Sequence, residues 1–212
     1  PNQMLELEAD EPPEISFAIP CHNETSNLPT LLKEITAEAD KLGRAYEIIV
    51  TDDCSTDGSW ALLKALTKLY PTLRVQRLDR NSGESAASFT AIRAARGDII
   101  VTMDADLQND PRELPLFFAA LKHADCVCGN RQATRGQGDN WLKRQTSRIS
   151  NGIRSRVLRD QVGDAGCTYR AFRRETVADL PFFKGIHRFL PILIAFKGYR
   201  VTEVPVVNRL RT

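Results

Sequence analysis

Residues 98–108, with the sequence DIIVTMDADLQ, place an apolar run directly before two closely spaced carboxylates. An apolar run of this kind is typical of a strand that is buried on both faces of a parallel sheet. Similar short apolar runs recur along the chain and are separated by segments with helical periodicity. This alternation predicts βαβ units and therefore an α/β fold with a mostly parallel central sheet flanked by helices.

The elements predicted around this stretch follow one another at regular spacing. Asn27 is predicted to cap the first helix, and Pro111 suits the first turn of the fourth. A polar, Gly-containing loop is predicted at 132–140. The predicted strands cover 14–20, 46–51, 73–78, 98–103 and 125–129, the end of 163–173, and 199–207. The predicted helices cover 28–43, 59–70, 85–95, 111–121, 141–158 and 187–196.

Composition narrows the class of protein. The chain has 212 residues, of which 42% are hydrophobic and 26% charged, which fits a globular domain. Its net charge of +2 argues against a nucleic-acid binder. Residues 131–174 hold eleven Arg or Lys against three acids, a net of +8, which indicates an anionic partner. Five cysteines at irregular spacing favour free thiols in a reducing compartment.

Polar residues gather where the predicted parallel strands end. Ligands bind at the carboxyl ends of the strands in such sheets, so these residues are candidates for a site. They lie in four short segments: 20–24, 52–53, 79–81 and 104–106.

Asp104 and Asp106 form the sharpest local feature, with Gln108 two residues further on. Carboxylates at this spacing can face one divalent cation, and Mg²⁺ and Mn²⁺ prefer oxygen ligands. The alternative is a solvated turn, but the position directly after a buried strand favours the metal site.

Three further segments are open to more than one interpretation. The acids around Asp52 and Asp53 can accept hydrogen bonds from a base or ribose, or can cap a turn. The small residues around Gly83 open a helix whose first amides can face a phosphate, but they lack the P-loop ending. Asp164 lies in the basic segment, where it can act as a base, orient a cation, or form an ion pair with an arginine.

Taken together, these motifs resemble the family 2 glycosyltransferases, the inverting GT-A class, and within it the dolichol-phosphate mannose synthase and polyprenyl-phosphate glycosyltransferase branch. The resemblance covers nearly all of residues 14–207. Its motifs are IPCHNE at 19–24, DD…S…DG at 52–58, RN-x-G at 80–83, MDADLQ at 103–108, D-x-GC at 164–167, FRR at 172–174, IHRF at 186–189 and EVPV at 203–206.

The resemblance implies roles for individual positions. It assigns Asp106, Asp164 and Arg188 to catalysis, and Asp104, Asp106 and Gln108 to Mg²⁺ or Mn²⁺. It assigns the acceptor phosphate or the diphosphate to Arg131, Arg170, Arg173 and Arg188. The positions implied for the nucleotide are Pro20, Glu24, Asp52, Asp53, Asp79, Asn81, Gly83, Asp104 and Ala105.

The implied reaction is metal-dependent transfer of a sugar, with inversion, from a UDP- or GDP-linked donor to a polyprenyl phosphate such as dolichyl or undecaprenyl phosphate. A saccharide acceptor, a silent nucleotide-sugar-binding module and a sugar nucleotidyltransferase are the alternatives.

The implied organisation is an acidic tail at 1–13, one GT-A domain at 14–207 with a nucleotide-sugar half (14–130) and a basic acceptor half (131–207), and a truncated end at 208–212. We expect contact with the cytoplasmic side of a membrane, anchored through segments outside this chain or peripheral, and an oligomer is possible.

Overall fold

The structure is a computed structural model that describes residues 12–131, 163–164 and 166–210. The helices are α1 (Leu28–Lys41), α2 (Ser59–Leu66), α3 (Glu84–Ala94), α4 (Leu114–Ala120) and α5 (Ile186–Phe196), with 3₁₀ turns at Pro111–Glu113 and Arg174–Val177. The strands are β1 (Ile15–Cys21), β2 (Tyr46–Asp52), β3 (Leu73–Arg77), β4 (Ile99–Thr102), β5 (Cys126–Asn130), β6 (Arg170–Arg173) and β7 (Val201–Pro205).

These strands form one sheet with the order β3-β2-β1-β4-β6-β5-β7. The pairings β1–β2, β2–β3, β1–β4 and β5–β7 are parallel, whereas β6 runs antiparallel to both β4 and β5. The predicted mostly parallel sheet flanked by helices is therefore confirmed. The reversal of β6 pairs Arg170 with Thr102 and Arg173 with Ile99. Arg170 therefore lies at the carboxyl end of β4, and Arg173 lies at its amino end.

Both faces of the sheet are buried, which explains why its central strands are apolar without alternation. Phe17 and Val101 belong to one apolar cluster, and their neighbours Ala18 and Ile100 belong to the other. Burial of one such Ile, Val or Phe side chain stabilises the fold by about 1.5–3 kcal/mol.

Two local predictions were wrong in detail. Asn27 occupies the N-cap position of α1, as predicted, but its side chain makes no capping hydrogen bond: its backbone is helical and its Nδ2 donates to Glu24 Oε2 at 2.5 Å. The helix predicted at 111–121 is divided into a 3₁₀ turn and α4. Pro115 explains the division, since it has no N–H to donate to the carbonyl of Pro111. The predicted loop at 132–140 and helix at 141–158 lie outside the described residues.

Candidate functional site

The carboxyl ends of β1, β2 and β4 open into one cleft of about 340 Å³. Parallel strands end at the same edge of a sheet, so segments distant in sequence meet there. The lining residues are Pro20, Cys21, His22, Glu24, Asp53, Asn81, Gly83, Glu84, Ala87, Asp104, Ala105 and Asp106.

Asp104 is held by two hydrogen bonds and has a raised pKa. Its backbone N–H donates to Asn109 Oδ1 at 2.9 Å, and its carboxylate accepts a hydrogen bond from the Thr168 hydroxyl. Burial raises the pKa of Asp104 to about 6, the negative charges of Asp106 and Glu84 add to the rise, and the Thr168 hydrogen bond opposes it. A cation between Asp104 and Asp106 would relieve this repulsion.

Asp106 and Gln108 lie on the tight turn that follows. Asp106 Oδ1 accepts from the Gln108 N–H at 3.1 Å, and Leu107 between them has a left-handed backbone with φ 64°. The Gln108 side chain is directed away from the cleft, since its Nε2 donates to the carbonyl of Arg209 at 3.4 Å.

The carboxylates of Asp104 and Asp106 fit a hard divalent cation. Mg²⁺ typically takes one or two carboxylates and completes its shell with water and substrate phosphate oxygens. In the described parts of the chain, no group of three or more His, Cys, Asp or Glu side chains could hold a metal ion. The donor set at Asp104 and Asp106 therefore suits a cation that is shared with a phosphorylated ligand.

Asp53 fixes the opposite wall of the cleft. Its two carboxylate oxygens accept from the backbone N–H groups of Ser82 at 2.7 Å and Gly83 at 2.8 Å. Gly83 has φ 86° and ψ 161°, a positive-φ conformation that a side chain would strain. Asp52 lies outside the cleft: it is fully buried and pairs with Arg77 at 3.0 Å.

His22 connects this wall to the end of β1. Its Nδ1 donates to the Asp53 carbonyl at 2.9 Å, and its Nε2 lies 3.2 Å from Asn81 Nδ2. Pro20 and Glu24 also line the cleft, as predicted for the nucleotide site. Asp79 is exposed and is not among the lining residues.

The N-terminus of α5 meets the N-terminus of α3 beside the cleft. The Ser85 hydroxyl lies 2.9 Å from His187 Nδ1, and His187 Nε2 lies 3.6 Å from Glu84. Burial lowers the pKa of His187; Glu84 opposes this, while Arg188 adds to it. Arg188 is exposed, and the buried Arg170 donates to the His187 carbonyl.

The remaining predicted residues of the basic half do not enter the cleft. Asp164 is buried and forms a two-pronged ion pair with Arg131, at 2.9 Å to Nε and 3.1 Å to Nη2. This is the ion-pair alternative that the sequence left open. Arg173 lies beside the amino end of β4, away from the cleft, and is 3.7 Å from Asp125.

Sequence reasoning assigned no specific role to several residues that the structure brings to the site, although Cys21 and His22 lie in the candidate segment 20–24. Cys21, His22, Glu84 and Ala87 line the cleft. Thr168 and Asn109 hold Asp104, although neither belongs to a periodic pattern that could have indicated it. The signal available for Thr168 was its place inside the 164–170 segment.

Comparison with known sequences finds a family and named relatives. The model of "Glycosyl transferase family 2" matches residues 16–180. An undecaprenyl-phosphate 4-deoxy-4-formamido-L-arabinose transferase of Edwardsiella ictaluri is 34% identical over 199 residues, or 93% of this chain and 60% of the relative. The corresponding protein of Sodalis glossinidius is 35% identical over the same shares. The chain thus spans about three fifths of the length of these relatives.

Solved structures share the fold at low sequence identity. Glucosyl-3-phosphoglycerate synthase from Mycobacterium tuberculosis, in complex with Mn²⁺, UDP-glucose and phosphoglyceric acid, superimposes with a TM-score of 0.70 at 22% identity, over 94% of this chain and 73% of that one. The mannosyltransferase PcManGT from Pyrobaculum calidifontis, in complex with GDP-mannose and Mn²⁺, gives a TM-score of 0.63 at 22% identity, over 92% and 56%. Within the described residues, no helix has both the length and the apolar character needed to cross a bilayer.

Proposed function

Because this chain belongs to glycosyl transferase family 2, we propose that it transfers a sugar from a nucleoside diphosphate sugar to a polyprenyl phosphate, with a divalent cation and with inversion at the anomeric carbon. The observation that carries the proposal is the pair Asp104 and Asp106 in one cleft at the carboxyl edge of the sheet. The undecaprenyl-phosphate transferases that it resembles support the lipid acceptor.

The donor side of the cleft has one wall for the nucleotide and one for the diphosphate. Glu24 and Asn81 supply polar groups on the nucleotide wall, and Asp53 keeps the turn at Gly83 in place. Asp104 and Asp106 would hold Mg²⁺ or Mn²⁺ on the opposite wall. Bound there, the cation would supply electrostatic stabilisation to the diphosphate as it leaves.

The acceptor needs orientation more than it needs a strong base. A phosphate monoester already carries negative charge near neutral pH, so its oxygen can attack the anomeric carbon while the bond to the diphosphate oxygen breaks. Attack opposite the leaving group inverts the configuration. Arg188, which is exposed and follows His187 beside the cleft, would bind the acceptor phosphate. Arg170, buried beneath it, positions α5 through the His187 carbonyl.

A surface beside this rim is suited to a membrane that carries the acceptor. Phe182, Phe183 and Phe189 are 52%, 37% and 45% exposed, and the rings of Phe183 and Phe189 lie 6.2 Å apart. Lys184 and Arg188 lie among them and are exposed as well. Aromatic rings and basic groups together favour the interface of an anionic bilayer, so we place this patch (182–184 and 188–189) against the cytoplasmic face of the membrane.

Vesicle sedimentation tests the patch. Phe183→Ser together with Phe189→Ser should reduce binding to vesicles of phosphatidylglycerol and phosphatidylcholine. Phe196→Ser is the control, since this residue is 68% exposed but lies at the far end of α5. Equal binding by the double variant and the control would remove the patch from the proposal.

Calorimetric titration of UDP, GDP and their sugar forms, with and without Mn²⁺, tests the donor site. Metal-dependent binding of one nucleotide is expected, and the Asp106→Asn variant should lose it while keeping its melting temperature. Asp179→Asn is the matched control, because its side chain is 91% exposed and does not line the cleft. Binding that is independent of metal, or retained in Asp106→Asn, would overturn the assignment of the cation site.

A further inference from the structure

Arg209 lies in the segment that follows β7, about a hundred residues beyond the turn that carries Asp106 and Gln108. The two segments nevertheless exchange backbone and side-chain hydrogen bonds. The Arg209 N–H donates to the Gln108 carbonyl at 3.0 Å, and Gln108 Nε2 donates back to the Arg209 carbonyl at 3.4 Å. This exchange joins the segment directly to the turn.

The Arg209 guanidinium joins the turn to a third element. Its Nη1 donates to Glu34 Oε2 on α1 at 2.6 Å, and its Nη2 lies 2.5 Å from Asp110 Oδ1 at the end of the turn. The Arg209 side chain is 24% exposed, and that of Asp110 is 9% exposed, so the pair is shielded from solvent better than a surface ion pair. One side chain therefore bridges α1 and the base of the turn.

Within the turn the Gln108 N–H donates to Asp106 Oδ1 at 3.1 Å, and the Tyr169 hydroxyl donates to the Asp110 carbonyl at 3.2 Å. The closing contact of the turn is the hydrogen bond from Asp104 N to Asn109 Oδ1, and Leu107 occupies the left-handed region at its tip. A non-glycine residue in that region is maintained only when its surroundings hold it there. The bonds from Arg209 to both Gln108 and Asp110 supply such a restraint at the trailing half of the turn.

We propose that Arg209 is a positioning residue that holds the 104–110 turn in the geometry that cation binding requires. The proposal rests on the proposed function for the role of the turn. It assigns no contact with substrate to Arg209, because all of its contacts described here are to the turn and to α1. It makes the segment after β7 part of the site, although that segment lies outside the cleft.

Arg112 provides a matched control. It also binds Asp110, at 2.6 Å, but its side chain is 70% exposed and it lies on the same turn-to-helix junction, so it does not connect the turn to another element. Loss of an Asp110 ion pair is thus common to Arg112→Ala and Arg209→Ala, whereas loss of the bridge to α1 is specific to Arg209→Ala.

The first measurement is hydrogen exchange of the metal-free protein. Arg209→Ala should raise the exchange rate of the Gln108 and Asn109 amides by about tenfold or more, whereas Arg112→Ala should leave it unchanged. The second is the Mn²⁺ dependence of nucleotide binding by calorimetry. Arg209→Ala should weaken the Mn²⁺-dependent binding by about tenfold and leave the metal-independent binding unchanged, and Arg209→Lys should fall between the variant and the native protein.

The outcomes separate the two proposals. Native protein that binds no nucleotide with Mn²⁺ contradicts the proposed function, while exchange at Gln108 still reports on the restraint. The role of Arg209 is overturned if the native protein binds the nucleotide with Mn²⁺ but the Arg209→Ala and Arg112→Ala variants show the same amide exchange rates and the same Mn²⁺ dependence.

Discussion

Replacement of Asp164 by Asn tests whether this residue is held by Arg131 as the structure describes. The carboxylate accepts from Arg131 Nε at 2.9 Å, from Nη2 at 3.1 Å and from the backbone N–H at 3.2 Å. The side chains are 6% and 18% exposed, so neither group regains full hydration when the other is removed. Removal of one partner from a buried ion pair costs about 3–5 kcal/mol.

Asn retains one acceptor oxygen, so we expect a cost at or somewhat below the lower limit of that range, about 2–3 kcal/mol. For a domain of this size each kcal/mol lowers the melting temperature by about 2–4 °C. Thermal unfolding followed by circular dichroism should therefore show a fall of about 4–12 °C in Asp164→Asn.

The control is Asp98→Asn. Asp98 lies 3.5 Å from Arg174, but its side chain is 88% exposed, so its loss should cost less than about 0.5 kcal/mol. A fall in Asp164→Asn no larger than in this control would refute the argument from burial. Donor affinity is the second readout: Asp164 does not line the cleft, so the dissociation constant of the nucleotide should not change. A loss of turnover beyond the loss of stability would favour a catalytic role for Asp164.

Three more changes give definite expectations. In Asp53→Asn, the N–H of Ser82 or of Gly83 faces the amide NH₂ group in place of a carboxylate oxygen, which should lower the free energy of unfolding measured in urea by about 1.5–3 kcal/mol. Nucleotide binding should weaken as well, and unchanged binding would contradict the role of Asp53 in the cleft wall. Gly97→Ala places a Cβ 2.8 Å from the backbone carbon of Ile15, so the melting temperature should fall by the equivalent of about 1–3 kcal/mol. Burial raises the pKa of Glu47, but hydrogen bonds and nearby arginines outweigh it and lower the pKa from 4.5. Its ionised form therefore stabilises the fold above pH 4.5, and the difference in unfolding free energy from Glu47→Gln should shrink as the pH falls through the lowered pKa.

The α/β class with a mostly parallel sheet was predictable because its signals are local, whereas the GT-A class and the family were predicted from the resemblance of the motifs to known glycosyltransferases. A strand buried on both faces requires an unbroken apolar run, and residues 98–103 provide one. The polar residues that follow such strands must then share an edge of the sheet. For that reason Pro20, Glu24, Asp53 and Asp104 could be grouped before any coordinates were known, and the structure brings them into one cleft.

The antiparallel direction of β6 was not accessible in the same way. The strand type of residues 170–173 follows from composition, but their direction depends on how the chain returns to the sheet. That direction decides which arginine reaches the site: Arg170 lies at the carboxyl edge and Arg173 at the other. Residues three apart in sequence are thus separated by the length of a strand.

The sequence by itself therefore determined the class of fold, the order of the strands and helices in the described residues, including β6, α5 and β7, and the acidic edge that could hold a cation. These properties depend on burial of alternate or successive side chains, which a short stretch of residues records. Tertiary structure alone decided the pairing of Asp164 with Arg131, the use of Asp53 to fix the turn at Gly83, and the bridge from Arg209 to Glu34 and Asp110. These contacts are specified by the distance between two groups in space, and partners that lie 30 to 175 residues apart leave no periodic trace in the sequence.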